Sequence, residues 1–314
     1  MSAIHCVLQS VPLPPALEQQ LSAACAQRGA PLLPPGSDPG DSGDHVTVLV
    51  THASAGASAD MIAQLPALRA ICSLGVGLDA IDLDAAARRG IVVSNTPDVL
   101  TECVADLAMG LLIDVARGIS AADRLVRRGD WARSGPPGPA TRVSGKRLAL
   151  LGMGRIAQAI ATRAGGFRME VRYHSRSAKP ELAWRHEAAL AQLADWADFL
   201  VVACAGGPAT HHLVSAQVLQ RLGPRGFLVN IARGCVVDQT ALVAALQQGA
   251  LAGAALDVFE DEPRVPPELL ALDNVVLLPH VGSATRETRS AMALLLLDNL
   301  QSFLEHGELV TPAG

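Results

Sequence analysis

The sequence predicts an α/β protein of two units, each built on a doubly wound parallel sheet with crossover helices. Three observations carry that prediction. Short apolar runs alternate with helical patterns along most of the chain, the signature of strand–helix–strand crossovers. At 314 residues the chain is long for a single hydrophobic core, so two domains are expected. Midway along it, Gly152-Met-Gly154 follows an apolar strand and starts a fresh strand–turn–helix series.

The elements follow in order. Residues 4–8, 46–50, 68–74 and 91–94 read as strands, and 17–27, 59–65 and 82–88 as the helices between them. The stretch 31–43, rich in Pro, Gly, Ser and Asp, reads as an exposed loop. Asn95-Thr96-Pro97-Asp98 is a turn signal that marks a domain boundary. From Leu100 a long helical pattern runs towards Arg128, with Thr101 as its N-cap, and 134–141 is a second loop dense in Pro and Gly. The second series has strands at 147–151, 170–174, 199–203, 227–231, 253–258 and 275–278. A closing helix over 285–303 carries an apolar stripe through Met292, Leu295, Leu296 and Leu300, though periodicity does not say where it docks.

Composition narrows the function classes. A net charge of −5 leaves no basic footprint for nucleic acid, and no apolar run reaches the length of a membrane helix. The N-terminus lacks the basic-then-apolar order of a secretory signal, so the cytoplasm is the default compartment. Cys6, Cys25, Cys72, Cys103, Cys204 and Cys235 form no Cys-x-x-Cys pair, which argues against a zinc site or disulfide framework; most of them read as buried apolar fillers, and Cys235 lies near Arg233 without a role of its own. His211 and His212 are adjacent, and neighbouring side chains point apart on most backbones, so no metal is expected there. Asp79 and Asp82 read as turn and helix-capping residues.

The glycine turn is the clearest chemical feature. Gly152 permits the tight turn, Gly154 lets backbone amides approach a pyrophosphate, and Arg155-Ile156-Ala157 opens the helix whose N-terminus would hold it. A ribose with a free 2′-hydroxyl calls for a carboxylate at the end of the next strand, roughly 20 residues on. That strand ends Tyr173-His174-Ser175-Arg176-Ser177 instead. Arg176 offers a 2′-phosphate a charge-assisted fork and Ser175 a hydroxyl, with Ser177 and Lys179 nearby, so the expected cofactor is NADP(H).

Arg233, Glu262 and His280 fall at the C-terminal ends of expected strands, where open α/β sheets bind ligands. Hydride transfer to a 2-keto acid needs a cation for the carboxylate, a proton donor for the ketone oxygen, and a partner that poises the donor. Arg233 can bind the carboxylate and polarise the carbonyl, His280 can donate the proton, and Glu262 can favour the imidazolium and fix its orientation.

With these residues the chain resembles the D-isomer-specific 2-hydroxyacid dehydrogenases over nearly its whole length. The resemblance runs through Gly75-Val-Gly-Leu-Asp79, Asn95-Thr-Pro97, Gly152-Met-Gly-Arg-Ile156, Asn230-Ile-Ala-Arg-Gly234, Leu256-Asp-Val-Phe259 with Glu262-Pro263, and Pro279-His-Val-Gly-Ser283. Thr96-Pro-Asp-Val-Leu-Thr101 and His174-Ser-Arg-Ser177 are similar to the NADPH-preferring glyoxylate/hydroxypyruvate and hydroxyphenylpyruvate reductases. Ala157 stands where the family usually has glycine, and the Pro-rich 135–140 stretch has no counterpart in the pattern.

The resemblance implies two Rossmann-like/flavodoxin-like domains. Residues 1–97 with 284–314 would form the substrate domain, and 98–283 the inserted NADP-binding domain. It implies that Val76 and Gly77 amides hold the substrate carboxylate with Arg233, that Ser283 belongs to the substrate set, and that Asp257 contacts the nicotinamide amide. It also implies a homodimer built by the long helix after Pro97. The implied reaction is NADPH-dependent reduction of a small 2-keto acid to the (R)-2-hydroxy acid. An aryl- or alkylpyruvate reductase is the alternative within the family, and a nucleotide-sensing scaffold the alternative outside enzymology.

Overall fold

The computed structural model describes residues 5–37 and 44–313; Ile4 of the first expected strand and residues 38–43 of the first expected loop lie outside them. The chain divides into two compact units, one running to Leu100 and resuming at Ala284, the other spanning Thr101–Ser283.

The first unit has five parallel strands: β1 (Val7–Gln9), β2 (Leu32–Leu33), β3 (Val48–His52), β4 (Ala70–Leu74) and β5 (Val92–Ser94). Their order is β2-β1-β3-β4-β5, with β3 and β4 in register from Val48↔Ala70 to His52↔Leu74. Helices α1 (Pro15–Gln27), α2 (Ala59–Ala63) and α3 (Leu83–Arg88) make the crossovers. Asp82 starts α3 as expected, its carboxylate accepting the Ala85 N–H at 2.7 Å. Strand β2 lies inside the segment expected to be loop: two leucines at a sheet edge give too short a run for periodicity to register.

The second unit opens with α4 (Thr101–Arg117), α5 (Ile119–Arg127) and α6 (Trp131–Ser134). The expected continuous helix towards Arg128 is broken at Gly118, which turns to φ 63°; the Asp114 carboxylate then accepts the Ser120 N–H at 2.8 Å as α5 begins. Then follow β6 (Arg147–Leu151), α7 (Arg155–Gly166), β7 (Glu170–His174), β8 (Arg185–His186), α8 (Leu190–Trp196), β9 (Phe199–Val202), α9 (Ala216–Leu222), β10 (Phe227–Asn230), α10 (Gln239–Gln247), β11 (Gly253–Leu256), α11 (Pro267–Leu270) and β12 (Val275–Leu277). These strands form a seven-stranded parallel sheet in the order β12-β11-β10-β9-β6-β7-β8. Strands β9, β10 and β11 are buried end to end, as expected where helices cover both faces of a parallel sheet.

Between β6 and β9 the strand order reverses direction, and open sheets bind ligands beyond their carboxyl ends at such a point. The Gly152 turn follows β6 there. The closing helix, α12 (Arg286–His306), packs on β4 and α1 of the first unit and buries Met292, Leu296 and Leu300, while Leu295 of the expected stripe is half-buried. Thr285 caps its start and Gly307, at φ 74°, ends it. Among the described residues no helix is long and apolar enough to cross a membrane.

Candidate active site

Each candidate side chain is placed by the end of a strand. After β6 the chain turns at Gly152, φ 97°, and a Cβ there would lie 2.8 Å from the backbone of Ala203 and Cys204 beyond β9. Neither steric room nor backbone torsion leaves another residue type for that position. Gly154 differs: its torsions are open to any residue, and an added Cβ would meet nothing within 4 Å. A Cβ there would enter the open space in front of α7, which its absence leaves free for close approach to the helix's first amides. No side chain caps α7, and its first turn holds no carboxylate, so its N-terminus suits an anion. The residues present therefore fit a dinucleotide pyrophosphate. Ala157, fully buried, packs α7 against the sheet.

At the end of β7, Arg176 and Ser177 are exposed and Ser175 is half-buried. The Ser175 hydroxyl donates to the Ser177 carbonyl at 2.7 Å, which closes a small turn with Arg176 at its tip. No carboxylate stands at the position where one would select a free 2′-hydroxyl.

Arg233, Glu262 and His280 all lie in the second unit. Asn230, at the end of β10, is buried and shapes the arginine's turn: its carbonyl accepts the Ala232 N–H at 3.0 Å and its amide donates to Arg233 O at 2.9 Å. Gly234 then lets the backbone lie flat on Phe259, where any Cβ would overlap the Phe259 carbonyl. This contact brings the arginine turn beside the loop that carries Glu262. His280 Nδ1–H donates to Glu262 Oε2 at 2.7 Å, and Glu262 Oε1 accepts the Phe259 N–H at 3.1 Å. Burial pushes the Glu262 carboxyl up, but His280, the Phe259 amide and the charge of Arg233 together outweigh it and hold it below its ordinary value.

His280 has a backbone feature that sequence pattern does not reveal: φ is 54°, left-handed and costly for a non-glycine residue. Asp257 holds it there. The His280 N–H donates to Asp257 O at 2.8 Å, while the carboxylate accepts from Val281 N–H at 2.8 Å and Gly282 N–H at 2.7 Å. Asp257 is buried; burial pushes its carboxyl up, against the lowering by these two amides and by His280. Both oxygens thus serve the 280–282 loop, a task that the motif reading, which aimed Asp257 at the cofactor amide, did not include. Ser283 follows directly and is half-buried.

In the first unit, Val76 and Gly77 follow β4 on a turn tied to the Asn95-Thr96 segment. The Thr96 hydroxyl accepts the Gly75 N–H at 3.0 Å, and the Asn95 amide donates to Val76 O at 2.9 Å. Two motifs separated in sequence are therefore one structure.

Two expectations need correction. The rings of His211 and His212 do not point apart but stack with centroids 4.0 Å apart, because His212 sits at φ 50°. His212 pairs with Glu260 at 2.6 Å, and no cluster of metal-binding side chains occurs among the described residues. Of the cysteines, Cys6, Cys25 and Cys72 are buried fillers, whereas Cys103, Cys204 and Cys235 are only partly buried.

Comparison with known proteins agrees with this geometry. Residues 109–282 match the model of the D-isomer specific 2-hydroxyacid dehydrogenase NAD-binding domain. The chain is 49% identical over 267 residues to a glyoxylate/hydroxypyruvate reductase of Arabidopsis thaliana, covering 85% of each protein. It is 47% identical over 269 residues to the hydroxyphenylpyruvate reductase of Plectranthus scutellarioides, covering 86% of each. Among solved structures, the NADPH-dependent glyoxylate/hydroxypyruvate reductase of Sinorhizobium meliloti, in complex with NADP and malonate, superimposes with a TM-score of 0.91 at 38% identity, over 99% of this chain and 97% of that one. A glycine turn at the sheet's switch point, a histidine–carboxylate pair and an arginine at neighbouring strand ends, and these relatives lead to one assignment: the chain belongs to the D-isomer specific 2-hydroxyacid dehydrogenase family.

Proposed function

We propose that this protein reduces a short 2-keto acid of the glyoxylate/hydroxypyruvate type to the (R)-2-hydroxy acid with NADPH. The observation that carries the reading is the His280–Glu262 pair at 2.7 Å, beside an arginine whose charge Glu262 feels. Nδ1 of His280 is committed to Glu262, so Nε2 is the nitrogen that holds the transferable proton. Bound NADPH supplies the hydride. His280 donates its proton to the ketone oxygen as negative charge develops there, and Glu262 stabilises the imidazolium that precedes transfer. The Arg233 guanidinium holds the substrate carboxylate and polarises the carbonyl. Val76 and Gly77 amides and Ser283 join the substrate set through the family motifs they occupy, and Gly152, Gly154, Arg155, Ile156, Ser175, Arg176, Ser177 and Asp257 form the cofactor set. The unit that ends at Leu100 and resumes at Ala284 is assigned the substrate role, the other the cofactor role.

The Arabidopsis and Sinorhizobium glyoxylate/hydroxypyruvate reductases favour the substrate class, and the hydroxyphenylpyruvate reductase keeps an arylpyruvate as the second reading. The test is NADPH consumption with glyoxylate, hydroxypyruvate and hydroxyphenylpyruvate, compared by kcat/KM. The two short acids should exceed the aryl acid; the reverse order moves the assignment to an arylpyruvate reductase, and no turnover with any 2-keto acid overturns catalysis.

A homodimer belongs to the same proposal. Helix α5 has no buried residue, and Ile119, Val126 and Trp131 on and after it are exposed, which leaves apolar surface for a second copy to cover. Sedimentation should give twice the chain mass of 32.6 kDa, and a monomer at micromolar concentration rejects it.

A further inference from the structure

The chain has one tyrosine, Tyr173, and its environment points to a task. It is the penultimate residue of β7 and is 1% exposed, and its hydroxyl bonds the backbone of the loop that follows the strand. The oxygen accepts the Lys179 N–H at 2.8 Å and its proton points to the Lys179 carbonyl at 3.4 Å. Burying a phenol oxygen is costly without such partners, and a phenylalanine would fill the same volume at no such cost. What the hydroxyl adds is a tie on the far end of the segment that follows β7.

The near end is tied as well. His186, on the edge strand β8, approaches Ser175 O with Nε2 at 3.1 Å, the geometry of a ring N–H donating to that carbonyl. Its ring leans on Tyr173 with centroids 5.2 Å apart and stacks on His174 at 6.3 Å. His174 in turn bonds Glu187 O through Nδ1 at 3.0 Å. The segment from Ser175 to Lys179 is thus pinned at both ends by buried or half-buried side chains, with Arg176 and Ser177 exposed between the pins.

We infer that Tyr173 and His186 are positioning residues for cofactor selection: they pre-order the 175–179 loop so that Arg176 and its neighbours meet a 2′-phosphate without first being ordered. The inference rests on the NADPH reading above. NADPH and NADH differ only by that phosphate, so a loop held in place for it favours one cofactor and is nearly silent for the other. An arginine on a loose surface loop surrenders much of its binding free energy to ordering; a pre-formed loop does not.

The test is calorimetric binding of NADPH, NADH and adenosine 2′-monophosphate to the wild type and to Tyr173→Phe, His186→Ala, His186→Gln and Arg176→Ala, with thermal unfolding of each. Tyr173→Phe removes one oxygen and should weaken NADPH and adenosine 2′-monophosphate by roughly 5- to 15-fold, the scale of one lost hydrogen bond, with less than about a twofold change for NADH. His186→Ala should do the same, and His186→Gln, which keeps a donor for Ser175 O, should recover part of the loss. Equal weakening of NADPH and NADH would assign both residues to fold stability alone and overturn the inference. Arg176→Ala separates the two levels. Selective loss in Arg176→Ala with none in Tyr173→Phe removes the positioning role only, whereas no selectivity in Arg176→Ala removes the 2′-phosphate reading itself.

Discussion

His280→Ala is expected to lower kcat by roughly 10²- to 10⁴-fold while NADPH binds as in the wild type. The loss follows from removing the proton that the ketone oxygen must receive as hydride arrives; the glycine turn and the 2′-phosphate loop lie elsewhere on the sheet and keep their contacts. Steady-state kinetics and NADPH calorimetry on one preparation check both halves, and a variant with kcat near wild type would take His280 out of proton transfer. A second readout comes from Glu262. Its folded carboxyl lies below its ordinary value, so it contributes stability that is present above the unfolded pKa and lost as pH falls through the folded one. His280 supplies part of that lowering through a hydrogen bond and charge. The acid limb of the stability profile, followed by circular dichroism, should therefore be shallower in His280→Ala.

How much of this was legible beforehand depended on whether the determining contact was local. The alternation of apolar runs and helices placed the main strands, and the strand ends placed Arg233, Glu262 and His280 at neighbouring positions because a parallel sheet gathers its carboxyl ends on one side. The structure then brings Glu262 and His280 to 2.7 Å across 18 residues. Two-residue edge strands such as β2 and β8 escape, being shorter than any period. The break at Gly118 escapes because the apolar pattern continues through it, and one glycine costs a helix only about 1 kcal/mol. The left-handed turn at His280 and its restraint by Asp257 escape for a different reason. They are fixed by bonds spanning 24 and 25 residues, and no local pattern encodes such partners.

That restraint makes Asp257→Asn the second large effect. The substitution keeps shape and burial but replaces one acceptor oxygen with an NH₂ group, which must then face the N–H of Val281 or of Gly282. One buried amide loses its partner, at a cost of about 1–3 kcal/mol in folding stability. There is little slack to absorb the change, since even a Cβ on Gly282 would sit 3.0 Å from Asp257 Oδ2. With one of its two side-chain ties gone, the loop holds His280 at φ 54° chiefly through the His280 N–H bond to the Asp257 backbone carbonyl, and its backbone is freer to shift towards ordinary torsions. The imidazole then no longer presents Nε2 where the ketone oxygen must be, and a displacement near 1 Å is enough to cost roughly 100-fold in rate. We therefore expect kcat to fall by roughly 10- to 100-fold, with denaturant unfolding showing the stability loss and the loss in NADPH affinity being the smaller effect. The opposite split is equally readable. If Asp257 serves chiefly as an acceptor for the nicotinamide amide, as the family motif implies, NADPH affinity should fall while stability stays at the wild-type value. The two roles divide cleanly between the two measurements, because a clamp is felt in the empty protein and a cofactor contact is not.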